Sequence, residues 1–183
     1  MADDLFKTSL HTPAHLFRAN AIYILTAATY NKLPLVNTDQ RKQQWLDAFR
    51  TGATLYGWQI IAWVVLSNHY HVIVRAPEEN AVSLTKFVAS YHKFTARQWN
   101  DEDSQTKRPV WWNYWDTCIR SEKDYLARFN YVHWNPVKHR IANHPIDYGF
   151  SSYAEFFSIQ PETIRTIEGA YPFDQVRDVP DEM

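Results

Sequence analysis

Two histidines stand two positions apart within an apolar run that is typical of a β-strand. The run covers residues 62 to 74, and its polar positions are Ser67, Asn68, His69 and His71. Because strand side chains alternate between two faces, His69 and His71 are expected to point the same way and Tyr70 the opposite way. Two imidazoles held side by side can bind one metal ion, although the spacing also fits two hydrogen-bonded core histidines. A polar patch in an apolar wall is costly to bury, which favours a functional role.

A tyrosine on a predicted helix is a second candidate for chemistry. The sequence Ser121-Glu122-Lys123-Asp124 is typical of a helix start, and the helix is expected to run to about Trp134, before Pro136. At 100° per residue its apolar arc is formed by Tyr125, Leu126, Phe129 and Val132. Tyr131 lies off that arc, and Asn135 follows one turn later on the same face. A tyrosine in such a position is more often a surface residue than a reactive one, so the helical pattern leaves open whether Tyr131 is a surface residue or a nucleophile.

Composition predicts a single packed domain in a reducing compartment. The chain has 183 residues, of which 45% are hydrophobic and 16% aromatic, enough for a full core. Its only cysteine, Cys118, excludes an intramolecular disulfide and a cysteine-rich zinc site. The first residues lack the pattern of a secretion signal, and no apolar run is long enough to cross a membrane. We therefore expect a cytoplasmic protein with one domain over residues 1–173, a core at about 20–157 and a loose acidic tail over 174–183.

Charge is distributed unevenly along the chain. Nineteen Lys and Arg face 20 Asp and Glu, which gives a formal net charge of −1 at pH 7. Much of the acidic excess lies in the two terminal tails, whereas basic residues outnumber acidic ones between Lys86 and Arg140. Aromatic residues are interleaved with these basic residues. This region fits a nucleic-acid surface as well as an ordinary solvated one.

The order of the predicted elements, β-α-β-β-α-β-α, indicates the fold class. Strands are expected at residues 21–30, 58–66, 69–75 and 110–119, and helices at 37–54, 83–99, 122–134 and 151–157. The first six elements have the order of a ferredoxin-like split βαβ fold, of the α+β class. In that fold two helices cover one face of an antiparallel sheet, and the other face is left free for a site. The strand with the two histidines would be central enough to hold both rigidly.

Two motifs together resemble those of a known enzyme family. Ser67-Asn68-His69-Tyr70-His71 resembles the His-hydrophobe-His motif of HUH nucleases, and the run from Tyr131 to His139 resembles the tyrosine-bearing helix of single-tyrosine HUH transposases. Within that group the chain is most similar to the REP-associated tyrosine transposases, a domesticated bacterial branch. Residues 110–116 and Ser151-Ser152-Tyr153 are similar to further segments of the branch. The resemblance covers residues 20 to 157 approximately, and the order and spacing of the two main motifs make it specific.

The resemblance implies a metal-dependent nuclease with a covalent intermediate. It implies that His69, His71 and Asn135 bind a divalent ion, Mg²⁺ or Mn²⁺, which polarises a DNA phosphate. Tyr131 would attack that phosphate and give a 5′-phosphotyrosine and a free 3′-OH. A tyrosine hydroxyl titrates near ~10, so it needs activation, for which the metal or Lys138 is the candidate.

The substrate implied by the resemblance is single-stranded DNA with a palindromic, REP-like hairpin. Such strands are bound by aromatic stacking within a basic groove. The candidate contacts are Lys93, Arg97, Lys107, Arg108, Trp111, Trp112, Arg120, Lys138 and Arg140. At least one of Trp111 and Trp112 is expected to lie in the core instead. The family's mobile relatives are dimers and some domesticated members work alone, so a monomer and a homodimer both stay open, and no membrane partner is expected.

Three other roles fit parts of the pattern. A non-catalytic hairpin-binding module would need a lost ligand or a lost tyrosine, and all of these residues are present. A water-activating metal-dependent nuclease normally has a carboxylate near its histidines, and none is close in sequence. A structural metal site would need a closed set of four ligands. The tyrosine nuclease and strand transferase is therefore the preferred hypothesis.

Overall fold

The computed structural model describes residues 6–9, 12–16, 18–79 and 83–176. Its strands are β1 Phe6–Ser9, β2 Thr12–Leu16, β3 Ile22–Thr29, β4 Gln59–Val65, β5 His69–Arg75 and β6 Trp111–Ile119. Its α-helices are α1 Asp39–Tyr56, α2 Leu84–Glu102, α3 Glu122–Lys138, α4 Tyr153–Ile159 and α5 Pro161–Ala170. β1 and β2 pair with each other, and the other four strands form an antiparallel sheet in the order β4-β5-β3-β6. This confirms the ferredoxin-like α+β arrangement.

Capping residues set the ends of the helices that the sequence predicts. The Thr38 side chain accepts a hydrogen bond from the Arg41 backbone N–H at the start of α1, and Ser121 accepts one from Asp124 at the start of α3. These bonds satisfy backbone donors that have no partner within the helix. Gly57 ends α1 with a φ of 71°, a left-handed conformation that glycine adopts without steric cost.

The two faces of the sheet carry separate cores. α1 and α2 cover one face with a cluster of large aromatic side chains, among which the rings of Trp45 and Tyr70 lie 4.7 Å apart. On the other face, apolar residues of β3, β4 and β5 pack against Phe129 and Val132 of α3 and against Tyr153 of α4. The expectation that this second face is free is therefore wrong for the β4 and β5 half of the sheet.

α3 is longer than its sequence suggests. It continues through Pro136 to Lys138, although we expected it to end at about Trp134. A proline inside a helix removes its own backbone donor and crowds the carbonyl four residues before it, but Pro136 lies in the last turn, where little helix remains to be disrupted. The turn is closed by hydrogen bonds from the His139 N–H to the Asn135 carbonyl and from the Ile141 N–H to the Pro136 carbonyl.

The C-terminal segment is more ordered than predicted. α5 was missed because its sequence is largely polar, with Ile164 as its only buried residue among those described. Phe173–Gln175 form a 3-10 turn, and the Phe173 ring stacks on Trp134 of α3 with centroids 5.3 Å apart. Of the loose tail expected over 174–183, Asp174 and Gln175 instead belong to this turn. The predicted acidic tail beyond residue 176 lies outside the described residues.

Candidate active site

β5 presents both histidines to the face of the sheet that α3 covers. The ring centroids of His69 and His71 lie 5.2 Å apart, and the His71 ring lies 5.2 Å from the ring of Tyr131. Tyr70 projects to the opposite face, where its hydroxyl lies 2.8 Å from the Tyr91 hydroxyl. The alternation of side chains predicted for this strand is confirmed.

A threonine on the neighbouring strand orients His71. Thr26 pairs with His71 in the β3–β5 register, and its Oγ1 lies 2.7 Å from His71 Nδ1. Because Nδ1 is engaged by Thr26, Nε2 is the nitrogen through which His71 would bind a metal. The sequence analysis missed Thr26, since its role depends on a strand pairing between residues 45 positions apart.

An asparagine fixes the protonation of His69. Asn68 Nδ2 donates to the Lys32 carbonyl at 3.3 Å, which orients the amide so that its Oδ1 faces His69 Nδ1 at 2.8 Å. His69 Nδ1 therefore carries the proton, and Nε2 carries the lone pair. Nothing in the sequence analysis gave Asn68 this role.

His69 and Asn135 together have the geometry of a metal site. His69 Nε2 lies 3.2 Å from Asn135 Oδ1. With the proton on His69 Nδ1, His69 Nε2 and Asn135 Oδ1 would both present lone pairs, an arrangement that suits a shared cation. Neighbouring ligands of an octahedral ion bound at 2.0–2.1 Å are about 3 Å apart, close to the observed separation. The residues therefore fit a divalent ion held by His69, His71 and Asn135.

Burial keeps both histidines in the form that binds metals. It lowers the pKa of His71 to about 3, with a smaller contribution from the Lys138 charge. Burial also lowers the pKa of His69 well below its usual value, and the neighbouring His71 and His139 act in the same direction. Both imidazoles are therefore neutral at physiological pH, as metal ligation requires. In the described part of the chain no three His, Cys, Asp or Glu side chains are placed so that they could hold a metal ion, so a site here would need the Asn135 amide as its third ligand.

Tyr131 is buried rather than exposed, with a relative exposure of 1%. α3 packs against the sheet on one side and against the C-terminal segment on the other, so residues off its apolar arc are also covered. Burial raises the pKa of the Tyr131 hydroxyl, while Asn135 and the charge of Arg128 act in the opposite direction. Lys138 Nζ donates to the hydroxyl at 3.4 Å and lies 4.9 Å from the ring centroid.

Two further basic residues near the site were missed by the sequence analysis. His139 follows α3, and its ring centroid lies 4.8 Å from that of His69. Arg128 lies almost one turn before Tyr131 and is itself buried, with Nε donating to Asp124 at 2.7 Å. A buried arginine is rare unless it is paired, and a search for basic residues inside the predicted helix could have found it.

Three of the predicted DNA contacts lie near this cluster. Lys138 contacts Tyr131 directly, and Arg140 is exposed just after the end of α3. Trp112 is 49% exposed on β6. Trp111 lies on the opposite face, where it stacks on His92 with ring centroids 4.7 Å apart. The expectation that one of these two tryptophans is a core residue is thus confirmed for Trp111.

The other predicted contacts lie outside the cluster around Tyr131. Four of them are exposed, namely Lys93, Arg97, Lys107 and Arg120. Lys93 and Arg97 are on α2, in the layer that covers the opposite face of the sheet. Arg108 is held within its own loop by a hydrogen bond to Asn100 at 2.9 Å and an ion pair with Asp103 at 2.7 Å. A role of these five residues in DNA binding stays a prediction.

No helix in the described part of the chain has both the length and the apolarity that crossing a bilayer would require.

Comparisons with known proteins agree with the geometry. The family described as "Transposase IS200 like" matches residues 19–127, a span that includes both histidines and ends just before Tyr131. A REP-associated tyrosine transposase of Escherichia coli K12 is 29% identical over 124 residues, which cover 67% of this chain and 66% of the relative. A Haemophilus influenzae protein, provisionally given the same name, is 24% identical over 146 residues, 75% of this chain and 82% of that protein.

The fold has a counterpart among solved structures. A REP-associated tyrosine transposase bound to a REP hairpin superposes with a TM-score of 0.67 and 23% identity, over 95% of this chain and 94% of that one. At this level of identity the likeness concerns the fold. With the match to more than half of its sequence, the chain belongs to the IS200-like transposase family.

Proposed function

We propose that this chain is a metal-dependent endonuclease and strand transferase that acts on hairpin-bearing single-stranded DNA through a covalent phosphotyrosine. The observation that carries the proposal is the position of the Tyr131 hydroxyl. It lies between the Lys138 ammonium group and the face of the sheet that bears His71, and His69 and Asn135 supply two further ligands beside it. A nucleophile, a cation and a ligand set for a divalent ion thus meet in one place.

Each residue has a separate role in the proposed reaction. Tyr131 Oη attacks the phosphorus, the bond between phosphorus and the 3′ oxygen breaks, and the phenolic proton is balanced by the proton that the 3′ oxygen takes up. The DNA remains attached to Tyr131 through its 5′ phosphate, so that a free 3′-OH can reverse the step and rejoin strands. His69, His71 and Asn135 would hold Mg²⁺ or Mn²⁺, which supplies Lewis-acid polarisation of the phosphate.

Lys138 is the residue that would activate the Tyr131 hydroxyl. Burial disfavours the phenolate of Tyr131, and a cation that donates a hydrogen bond to the hydroxyl favours it. Because Lys138 is two turns beyond Tyr131 on the same helix, its position relative to the nucleophile is fixed by α3. All of these groups come from one chain, so the site as described needs no residue from a second copy.

The proposed substrate class follows from the relatives. The curated relatives are REP-associated transposases, and the protein of similar fold is bound to a REP hairpin. We propose that this chain likewise acts on a palindromic hairpin with single-stranded flanks, and that Lys138, Arg140 and Trp112 lie closest to the bound strand. The remaining predicted contacts would meet DNA further from the reacting phosphate.

The test is the formation of a covalent complex. Labelled hairpin DNA is incubated with the protein and Mn²⁺ or Mg²⁺, and the products are separated on denaturing SDS gels. A labelled protein band is expected for the native chain and for Tyr70→Phe, which removes a buried hydroxyl from the opposite face. No such band is expected for Tyr131→Phe or His69→Ala. Cleavage without a covalent band would contradict the proposal and favour a water-activating nuclease. Binding without cleavage would contradict it and favour a non-catalytic hairpin-binding module.

A further inference from the structure

A cavity of about 520 Å³ opens beside the active site on the same face of the sheet. Its walls are formed by the C-terminal end of β3, by the turn that follows and by the start of β6. Among the residues that line it are Thr26, Ala28, Asn31, Lys32, Trp112 and Trp115. This volume lies within the range of about 300–1,000 Å³ that is typical of small-molecule sites.

A β-bulge directs Trp112 into this cavity. Ala27 pairs with Tyr114 and Thr29 pairs with Trp111, so β6 contains one residue more than β3 over this stretch. The extra residue leaves Trp111 and Tyr114 on the face covered by α2. Trp112 and Asn113 instead line the cavity on the other face. Bulges that re-aim a side chain are common next to active sites.

The cavity shares residues with the catalytic cluster. Thr26 lines the cavity and also contacts His71 Nδ1 through its hydroxyl. Lys32 lines the cavity too, and its carbonyl accepts the hydrogen bond that orients Asn68 toward His69. A group bound in the cavity would therefore lie next to both histidines, on the side away from α3.

The backbone at the rim is strained. Asn31 and Lys32 have φ values of 52° and 53°, so two consecutive residues with side chains are left-handed. Such conformations are unfavourable and persist where the surroundings enforce them, often at ligand sites. Here they bring the Asn31 and Lys32 residues to the edge of the cavity, opposite Trp112.

We propose that this cavity holds one unpaired nucleobase of the DNA strand, next to the phosphate that Tyr131 attacks. The inference rests on the proposed function and adds a base subsite to it. The Trp112 indole offers a stacking surface, and stacking on aromatic side chains is the usual way in which single-stranded bases are held. The amides of Asn31 and Asn113 can both donate to and accept from the edge of a base, and the Lys32 ammonium suits the adjoining phosphate.

The experiment locates the base by fluorescence. A hairpin with randomised single-stranded flanks is first selected for binding to the native chain. The selected oligonucleotide then receives 2-aminopurine at each flank position in turn, and all measurements are made in a chelator so that no cleavage occurs. Quenching is expected at one flank position next to the cleavage site. Trp112→Ala should relieve that quenching and weaken binding by about 10-fold or more, in line with the loss of one stacked base.

The matched control is Phe94→Ala, which removes an aromatic side chain that is also exposed but lies on α2 in the opposite layer. This variant should leave the quenching and the affinity unchanged. An abasic nucleotide at the quenched position should abolish the difference in affinity between the native chain and Trp112→Ala. Neither protein can then stack an indole on a base at that position. Equal effects of Phe94→Ala and Trp112→Ala would overturn the proposal.

The other outcomes separate the subsite from the reaction. If Tyr131 forms the covalent complex but no flank position is quenched, the base subsite is wrong and the proposed function stands. If one position is quenched but no covalent complex forms, the subsite stands and the tyrosine chemistry fails. If free deoxynucleoside monophosphates bind at Trp112 as tightly as the oligonucleotide, the cavity is a nucleotide site independent of the DNA strand, and the proposal is overturned.

Discussion

The two faces of the sheet both carry a tyrosine and a histidine close together, yet only one of these clusters has the features of an active site. On the face covered by α1 and α2, the Tyr70 hydroxyl lies 2.8 Å from that of Tyr91 and 2.9 Å from His92 Nε2. On the other face, His71 lies beside Tyr131. Tyr70 and His71 are consecutive residues of β5, and the alternation of side chains along the strand places one in each cluster.

The difference lies in where the polar groups find their partners. The Tyr70 hydroxyl bonds to both Tyr91 and His92, and Trp111 closes the cluster by stacking on His92. In the other cluster His69 Nε2 lies 3.2 Å from Asn135 Oδ1, an arrangement that suits a shared cation, and the cluster borders a cavity through Thr26. Residue types alone therefore do not identify the site. The partners of the polar atoms and the neighbouring cavity distinguish the two clusters.

The largest effect that distinguishes the two clusters is expected from removing one hydroxyl group from each. Tyr131→Phe should reduce covalent complex formation to background, a loss on the order of 10⁴-fold or more, because no other group replaces the nucleophile. Tyr70→Phe should preserve the reaction but lower the free energy of unfolding by about 1–3 kcal/mol, since Tyr91 and His92 lose a buried partner. Adduct assays and denaturant titrations on both variants measure the two effects. A normal reaction rate in Tyr131→Phe would exclude the assignment.

Asn68 offers a sharper test of the proposed metal site, because its substitution removes none of the proposed ligands. Asn68→Ala frees the His69 ring to rotate and to change tautomer, and such a loss of an orienting group weakens metal binding by about 10–100-fold. Mn²⁺ affinity, measured by electron paramagnetic resonance in the absence of DNA, reports this directly. Ser67→Ala is the control at the preceding position and should bind Mn²⁺ like the native chain. An unchanged affinity in Asn68→Ala would mean that the orientation of His69 does not depend on this contact.

Lys138 should affect the rate through the ionisation of Tyr131. Lys138→Met keeps an unbranched side chain that is one atom shorter and removes the cation 3.4 Å from the hydroxyl. The pKa of Tyr131 then rises further, so the rate at a fixed neutral pH falls by about 10-fold for each unit of that rise. The pH–rate profile should shift to higher pH, which a merely structural role would not cause. Lys86→Met on α2, at an exposed lysine that is not among the predicted DNA contacts, serves as the control, with no shift expected.

Local features of the fold and site could be predicted from the sequence, whereas long-range partners could not. The alternation along β5 follows from the covalent geometry of a strand, and the caps at Thr38 and Ser121 follow from local hydrogen bonding. The pairing of Thr26 with His71, by contrast, depends on a strand register that the sequence does not encode locally. The burial of Tyr131 escaped prediction for a related reason, because its ring packs against His71 of β5, and the side of α3 that meets the sheet is set by this long-range packing. The bulge that directs Trp112 likewise appears only once β3 and β6 are paired.

The smallest expected effect concerns another buried histidine, His133, which takes part in neither cluster. His133 of α3 is buried, its Nε2 lies 2.8 Å from Ser152 Oγ, and burial lowers its pKa to about 3. The unfolded chain binds a proton on this ring near pH 6.5 and the folded chain does not, so this residue's contribution to stability is lost as the pH falls through that range. Between pH 7.5 and pH 6 the loss amounts to about 0.8 kcal/mol. His133→Gln should reduce the pH dependence of the free energy of unfolding by this amount in urea titrations. An unaltered dependence would show that His133 is protonated in the folded chain as readily as in the unfolded one.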